Sequence, residues 1–121
     1  SLVGSEDVYK RQVYTTKIMI KVYNLLGLMQ RAGKLITGED LIIKNLKNKK
    51  IKLLVIAEDC GVNTKKKLED KSNFYGVEHI EFSNIENISI AIGRDNRVAV
   101  GITDSGFIKK FKQLIEEGGR Q

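Results

Sequence analysis

The chain has 121 residues, of which 41% are hydrophobic, and this composition suits one compact domain and excludes disorder along the whole length. Its single Cys and single His exclude an internal disulfide and a structural zinc site, and its apolar runs are too short to span a bilayer. With 21 Lys and Arg against 15 Asp and Glu, the net charge of +6 favours an anionic partner.

The first part of the chain does not follow the pattern of a folded element. Residues 1–12 (SLVGSEDVYKRQ) show neither helical nor strand periodicity, and their two acids and two bases cancel. They resemble a translated cloning leader, and the first Met is Met19. We therefore expect residues 1–18 to be a foreign or disordered leader that packs on nothing, with a native disordered tail as the alternative. Residues 19–117 then form the single domain, and 118–121 form a short tail.

Helical and strand-like patterns alternate after this segment. Apolar residues at three- and four-residue spacing predict a first helix, and Gly33 stands where a helix C-terminus favours a left-handed residue. Residues 34–37 form a short extended piece, and Thr37 and Asp40 have the spacing of a capping box for a second helix. The apolar faces of these two helices are Val22, Leu25, Leu26 and Met29, and then Ile42, Ile43 and Leu46.

The middle of the chain predicts a buried strand and a third helix. Residues 51–57 are a dense aliphatic run, which is typical of a strand buried on both faces. Asn63 or Thr64 can cap a third helix, and Gly76 can end it. The residues of this helix that we expect to face inward are Leu68 and Tyr75.

The last third of the chain continues the alternation. Residues 77–82 and 98–103 are extended, Ser83 with Glu86 resembles another capping box, and Asp104 can cap the last helix. Short loops between alternating strands and helices imply one α/β/α sandwich, with helices on both faces of a sheet. The apolar stripes of the two helices are Ile85, Ile88 and Ile92 before Gly93, and Phe107, Ile108, Phe111, Leu114 and Ile115 before Gly118.

This architecture predicts where a ligand binds. In open α/β sheets, ligands gather beyond the carboxyl ends of the strands, at helix N-termini whose free N–H groups favour anions. Residues 37–40, 58–64 and 103–105 qualify. Residues 93–97 are a further candidate if their turn bends toward the same edge.

Residues capable of catalysis are few. His79 lies in a strand-like run without a Ser or Cys partner in any motif, and Cys60 lacks a second Cys for a C-x-x-C pair, so a plain buried or boundary thiol is favoured. Glu58 and Asp59 lack the further ligands that a divalent metal needs, and no Gly-rich phosphate loop occurs. We therefore expect no enzyme activity, no metal and no cofactor.

The positive charge is concentrated in one part of the chain. Residues 13–50 hold eight bases and two acids, which gives this segment a charge of +6. Residues 65–67 (KKK) form a second cluster at the start of the third helix, where cations oppose the helix dipole unless an anion lies nearby. A solvated face is the alternative for both runs, and a plain turn is the alternative for the polar loop 94–97 (RDNR).

Five strings of the chain resemble the L7Ae/L30e ribosomal protein superfamily, and most closely its bacterial YlxQ-like branch. The order and spacing of these strings cover nearly the whole domain, from about Tyr23 to Ile115. The resemblance implies an α/β/α sandwich with a mixed four-stranded sheet, which binds kink-turn RNA as a single domain without a cofactor. The strings are LGLMQRAGK at 26–34, TGEDL at 37–41, IAED at 56–59, AIGRD at 91–95 and VGITDSGF at 100–107.

The same resemblance implies which residues bind RNA. In kink-turn binders a Gly-x-Asn-Glu-x-x-Lys signature opens the second helix and enters the groove at tandem sheared G·A pairs, while a second loop covers an extruded nucleotide. Carried over, Gly38 permits close approach, Asp40 takes the Asn place, Leu41 takes the Glu place and Lys44 keeps the Lys. The other residues implied are Lys34 and Thr37 flanking the entry, Glu39 within the signature, Glu58 and Asp59 facing the same edge, and Arg94, Asp95, Asn96 and Arg97 in the covering loop.

Two places depart from the family pattern. Asp40 accepts hydrogen bonds but cannot donate the amide protons of Asn, and Leu41 cannot hydrogen-bond to a base edge. The covering loop, usually apolar in strong kink-turn binders, is polar here, so Arg94 and Arg97 can grip a phosphate or stack on a base instead. Weaker affinity or a different ribosomal RNA feature therefore stays open.

The expected protein is a cytoplasmic, ribosome-associated monomer that binds structured RNA, ribosomal RNA first of all, and no membrane. Two other functions stay open. One is a protein-interaction scaffold of the same fold, in which apolar helix faces or a strand edge bind and the basic surface is incidental. The other is a detached RNA-recognition domain of an RNA-modifying system.

Overall fold

Helices and strands alternate along residues 3–119, the part of the chain that the computed structural model describes, with side chains described for 8, 10 and 12–118. The helices are α1 (Val3–Arg31), α2 (Glu39–Lys47), α3 (Val62–Phe74), α4 (Ile85–Ile92) and α5 (Ser105–Gly119). The strands are β1 (Leu35–Thr37), β2 (Leu53–Ile56), β3 (Glu78–Glu81) and β4 (Ala99–Ile102).

The four strands form one mixed sheet in the order β1-β4-β2-β3. Strand β4 runs antiparallel to both of its neighbours, β1 and β2, whereas β3 runs parallel to β2. The two central strands, β2 and β4, are buried along their whole length. Helix α1 packs against α4 and α5, and α2 packs against α3, which gives the two helical layers of the predicted α/β/α sandwich.

The core lies where the predicted apolar stripes meet the sheet. The inner residues of every predicted stripe are buried or packed against the core. On the α1 and α5 side, the rings of Phe82 and Phe111 meet edge to face with their centroids 5.4 Å apart, and Tyr23 packs against Phe82 at 6.1 Å. The periodicity of apolar residues therefore identified the core correctly.

The start of the chain differs from the prediction, because α1 is helical from Val3 onward. Ile18 is only 3% exposed and belongs to the core, so the expectation that residues up to 18 pack on nothing is wrong at this position. It stands four residues before Val22 on the same helix face, which extends the buried stripe by one turn. Of the other apolar residues of the expected leader, Val8 is exposed and Val13 is only partly buried, so neither belongs to the buried core. Residues 1 and 2 of the expected leader lie outside the described part, and its foreign origin stays a prediction.

The end of the chain differs in the same way. Helix α5 continues through Gly118 and Gly119, where the sequence predicts a stop before Gly118. A Cβ atom on Gly118 would lie 3.3 Å from Ile18 Cγ2, so the glycine sits at the close contact between α5 and α1. Residues 120 and 121 of the expected tail lie outside the described part.

Three predicted helix caps are wrong. Helix α2 begins after Gly38 and α3 after Gly61, and neither glycine offers a capping side chain, so neither the Thr37 box nor Asn63 or Thr64 caps a helix. The box on Ser83 is displaced by one residue, because the side chain of Asn84 accepts the Asn87 N–H at 2.8 Å. Ser83 and Asn84 are both good capping residues in sequence, and the backbone conformation determines which of them caps the helix.

Other predicted boundaries are confirmed. The Asp104 carboxylate accepts the Phe107 N–H at 2.9 Å and so caps α5 as predicted. Gly33, Gly76 and Gly93 adopt positive φ values just after α1, α3 and α4.

Replacing Gly101 with Ala is expected to lower the free energy of unfolding by about 2–3 kcal/mol. Gly101 is buried in β4, and an added Cβ would lie 2.7 Å from Cγ1 of the buried Ile51. Urea denaturation measures the loss. Gly61→Ala is the matched control, because its Cβ meets nothing within 4 Å, and it should cost under about 0.5 kcal/mol. Equal losses for the two variants would contradict this packing.

Candidate nucleic-acid interface

One edge of the sheet collects most of the predicted binding residues. Because β1 and β2 are both antiparallel to β4 and β3 is parallel to β2, the carboxyl ends of β1, β2 and β3 lie at the same edge as the start of β4. The segments that meet there are 37–40, 57–60, 82–84 and 93–98. Residues 93–97 therefore bend toward this edge, which was the condition for including them in the predicted ligand site.

The turn into α2 exposes backbone donors at this edge. Gly38 has φ 91° and ψ 130°, a conformation that favours glycine, and it precedes α2 without any side-chain cap. The N–H groups of the first helical turn have no partner within the helix, and their dipoles carry partial positive charge. The acidic residues of this turn are Glu39 and Asp40. Thr37, the last residue of β1, is partly buried directly before the turn.

The loop at 93–97 is folded back onto α4. Gly93 ends α4 in the left-handed conformation, and Asn96 also has a positive φ of 49°. The Arg97 N–H donates to the hydroxyl of the buried Ser89 at 2.8 Å. This bond fixes the backbone of Arg97, whereas Arg94 and Asp95 are exposed.

A cavity of about 230 Å³ joins the α2 turn to this loop. The Arg97 Nη1 atom lies 3.7 Å from the position that a Cβ atom on Gly38 would take. The Arg97 Nε atom is buried and has no hydrogen-bond partner among the described residues. The guanidinium of Arg97 therefore lines the cavity, with its Nη1 atom next to Gly38. Its lining residues are Gly38, Glu39, Ile42, Thr64, Asn96, Arg97, Val98 and Ala99.

The outer face of α2 carries the other signature positions. Asp40, Leu41 and Lys44 are exposed, and Leu41 is 55% exposed although it is an aliphatic residue. Residues at i and i+4 share a helix face, so Asp40 and Lys44 stand beside each other next to Leu41. The face that the family signature uses is thus solvent-accessible, with Leu41 as an apolar contact in place of a polar one.

Glu58 and Asp59 lie at the same edge, and both also make hydrogen bonds to neighbouring helices. The Asp59 carboxylate accepts the Ile85 N–H at 2.8 Å and so ties the loop after β2 to the start of α4. The backbone oxygen of Glu58 accepts from Lys65 Nζ at 3.0 Å, while its side chain is exposed.

Lys34 and residues 103–105 lie at the opposite edge of the sheet. Thr103 N–H and Thr103 Oγ1 both donate to the Lys34 backbone oxygen, at 3.0 and 3.2 Å. Lys34 precedes β1 and Thr103 follows the antiparallel β4, so the expectation that they share an edge with Gly38 is wrong. The direction of β4 decides this, and a sequence pattern does not show it.

The lysine cluster at 65–67 is engaged within the chain. Lys65 Nζ lies 2.5 Å from Glu81 Oε1, and Lys67 Nζ lies 3.1 Å from Glu39 Oε1. The hydrogen bond to Glu81 raises the pKa of the Lys65 ammonium, which keeps its charge. Two of the three cations thus have internal partners, which join α3 to β3 and to α2.

The two residues considered for catalysis have structural surroundings. Burial raises the pKa of the Cys60 thiol, which leaves it protonated near neutrality. His79 Nε2 lies 3.5 Å from Glu69 Oε2, in a partly buried pair. Within residues 3–119, no group of three His, Cys, Asp or Glu side chains can hold a metal ion, and no helix has the length and apolar character for a membrane span.

Residues 20–112 match the model of the "Ribosomal protein L7Ae/L30e/S12e/Gadd45 family", which covers more than half of the chain. The chain belongs to this family. The resemblance seen in the five sequence strings is therefore confirmed, together with the fold that it implied.

Three relatives are similar to this chain over most of its length. The RNA-binding protein YlxQ of Enterococcus faecium is 49% identical, over 79% of this chain and 92% of its own length. The protein of the same name from Bacillus subtilis (strain 168) is 40% identical, over 78% and 94%. The large ribosomal subunit protein eL30 of Lupinus luteus is 30% identical, over 83% and 91%.

Two solved structures share the fold of this chain. A protein with unknown function from Bacillus halodurans C superposes with a TM-score of 0.74 at 38% identity, covering 79% of this chain and 97% of that one. The Giardia lamblia 15.5kD RNA binding protein superposes with a TM-score of 0.66 at 15% identity, covering 86% and 87%. The second likeness, at this low identity, shows the fold alone.

The predicted site residues did not include four residues that line the edge cavity, which are Ile42, Thr64, Val98 and Ala99. Thr64 lines it from the first turn of α3. The sequence singled out this residue as a helix cap, although it also ends the segment 58–64 that was expected to lie near a ligand. Its place depends on how α3 packs against α2, and the family strings stop short of it.

Proposed function

We propose that this chain is a non-catalytic RNA-binding protein that recognises structured, kink-turn-like RNA through one surface. We call it the edge surface, and it consists of Thr37, Gly38, Glu39, Asp40, Leu41, Lys44, Glu58, Asp59, Arg94, Asp95, Asn96 and Arg97. The observation that carries the proposal is the N-terminus of α2 at Gly38, which has no side-chain cap and lies beside the guanidinium of Arg97. Two relatives at 49% and 40% identity carry the name RNA-binding protein.

The chemistry of the edge surface suits a phosphate backbone with a distorted groove. Helix N–H groups and cationic side chains bind phosphate oxygens, and they do so best where the backbone approaches closely. Gly38 has no side chain that would hold the RNA away from these donors. Lys44 and Arg94 add exposed cations on either side of the turn. The edge surface therefore offers both backbone and side-chain donors to one anionic ligand.

Base recognition is expected to shift from α2 to the loop. Asp40 and Leu41 cannot supply the donors and acceptors of the Asn-Glu pair in the family signature. Arg97 can donate two hydrogen bonds in a fixed plane, to a guanine edge or a phosphate, and Arg94 can stack on an unpaired base. We therefore propose that the loop at 93–97 carries more of the specificity here than it does in a protein with the full signature.

One relative supports a proposal for the place of action, because it is a large ribosomal subunit protein. We propose that the protein acts in the cytoplasm, associates with ribosomes and binds ribosomal RNA as a monomer. Sedimentation of the tagged protein with ribosomal subunits, and crosslinking followed by RNA sequencing, tests this.

A matched pair of lysines tests the edge surface. Lys44→Ala is expected to weaken binding to a kink-turn duplex by about 1–3 kcal/mol, because Lys44 lies on the exposed face of α2. Lys34→Ala, which removes an equally exposed lysine at the opposite edge, should change the affinity by less than about 0.5 kcal/mol. Fluorescence anisotropy with a labelled RNA measures both.

The RNA itself supplies the second control. A duplex in which Watson–Crick pairs replace the tandem G·A pairs should bind more weakly to the unsubstituted chain. Equal effects of the Lys34 and Lys44 variants, or equal binding of the two duplexes, would count against kink-turn recognition by the edge surface.

A further inference from the structure

A groove runs between α1 and α5, on a part of the molecule that contributes nothing to the edge surface. It is shallow and open to solvent, with a volume of about 500 Å³, and α1 contributes five of its seven lining residues. Positions 21, 24, 25, 28 and 31 recur at helical spacing, so they form one continuous face of α1. This α1–α5 groove is lined by Lys21, Asn24, Leu25, Leu28, Arg31, Lys110 and Leu114.

The floor of the groove is aliphatic. Leu114 is buried, Leu25 is partly buried, and Leu28 remains 46% exposed. None of the seven lining residues is aromatic or acidic. An aliphatic floor suits the apolar side chains of a protein segment, whereas bases of RNA bind on aromatic rings or arginine planes.

The rim of the groove is basic. Lys21, Arg31 and Lys110 are exposed, and none of them makes an ion pair with a carboxylate among the described residues. Lys21 and Arg31 stand ten residues apart on one helix, a separation of roughly 15 Å. The apolar floor thus has cations at both ends and one on the opposite wall.

A second concavity on the other side of the α1 ridge widens this surface. It shares Asn24 and Arg31 with the groove and extends to α4, where Ile90 is largely exposed. The two helices approach closely there, since a Cβ atom on Gly27 would lie 2.9 Å from the Ala91 backbone oxygen. The exposed apolar residues on the two sides of the ridge are Leu28 and Ile90.

We propose that the α1–α5 groove binds a short acidic, amphipathic segment of a partner protein. Leucine-like side chains of the segment would pack on Leu28 and Leu114, and its carboxylates would pair with Lys21, Arg31 and Lys110. Charge complementarity selects this partner, because three unpaired cations around an aliphatic floor attract carboxylates and repel basic segments. A second copy of this chain bound through the same groove would place the three cations against themselves. Because the groove shares no residue with the edge surface, RNA and the segment can bind together.

The test is selection from a displayed library of random peptides against the full chain. Enriched peptides are expected to carry Leu, Ile or Phe between two or more carboxylates. With the best of these peptides, Leu28→Asp should raise the Kd about tenfold or more, and Lys110→Glu should raise it at least about fivefold. Anisotropy of the labelled peptide measures both constants.

Ile20→Asp is the matched control, because Ile20 is 54% exposed on the same helix and lines neither the α1–α5 groove nor the second concavity. It should change the peptide Kd by less than about twofold, and Leu28→Asp should leave RNA affinity within about twofold. Basic or neutral enriched peptides, or equal effects at positions 20 and 28, would overturn the proposal. A loss of RNA binding in Leu28→Asp would assign the groove to RNA, and dimerisation lost in that variant would assign it to a second copy; either result overturns it too.

Discussion

Replacing Arg97 with Ala is expected to weaken kink-turn RNA binding by about 2 kcal/mol, which is roughly thirtyfold in Kd. Arg97 projects into the cavity beside Gly38, and its backbone is fixed by the bond to Ser89. Its Nη1 atom lies beside Gly38 in the lining of the cavity, so an RNA phosphate or base edge placed there can accept a charge-assisted hydrogen bond from the guanidinium. Isothermal titration with a kink-turn duplex measures the loss.

The same substitution should not reduce the stability of the free protein. A buried donor without a partner costs about 1–3 kcal/mol, and Arg97→Ala removes it. The free energy of unfolding is therefore expected to stay unchanged or to rise, while RNA affinity falls. Urea denaturation of the free variant, run beside the titration, separates this behaviour from a general loss of structure.

Arg94→Ala provides the comparison within the same loop. Arg94 is exposed and does not line the cavity, so its loss should cost under about 1 kcal/mol, mainly through a lost phosphate contact. If both arginines cost the same, or if Arg97→Ala destabilises the fold, the cavity is not where Arg97 meets RNA.

Much of the fold could be predicted because burial imposes a period on the sequence. Three of the four isoleucines of α4 and the inner stripe of α5 stand at helical spacing, and the aliphatic run at 51–57 contains the central β2. Each pattern shows which face of one helix or strand is buried, and that face is set by residues close together in the sequence. Elements with a strong one-sided face were therefore predicted correctly.

Three of the errors, at Ser83, Lys34 and Ile18, have one physical origin. Helix ends depend on backbone angles, and Ser83, with φ 61°, points its hydroxyl to Tyr23 at 2.7 Å instead of capping α4. Strand direction depends on partners distant in the chain, so the sequence could not separate Lys34 from Gly38. Ile18 lies one turn before the predicted stripe of α1, and it packs close to Gly118 of α5. In each case the deciding contact joins residues far apart in sequence.

The candidate site was predicted only in part, because contacts between distant residues also decide which side chains meet there. The family strings led to Gly38, Lys44 and the loop at 93–97, which the structure brings to one edge. They could not tell that Arg97, and not Arg94, lies against Gly38, because that choice depends on the turn at Asn96 and on Ser89. Nor could they show that Lys65 and Lys67 are already paired with Glu81 and Glu39.

RNA affinity is expected to fall about fortyfold between 50 and 200 mM salt, which corresponds to about three phosphates neutralised by Lys44, Arg94 and Arg97. The free energy of such binding comes from the release of counterions from the RNA, and each protein cation that replaces a counterion adds about one to the slope of log K against log salt. Anisotropy titrations across this salt range give the slope directly.

The internal ion pairs sharpen this expectation. Lys44→Ala and Arg97→Ala should each lower the slope by about one, because both cations are free to replace counterions. Lys109→Ala, an exposed lysine of α5 away from the edge surface, should leave it unchanged. Lys65 is held by Glu81, so its loss should also change the slope little although it belongs to the densest basic run. A flat salt response would contradict RNA binding by the edge surface. A slope lowered equally by all four substitutions would mean that net charge, and not the geometry at Gly38, attracts the RNA.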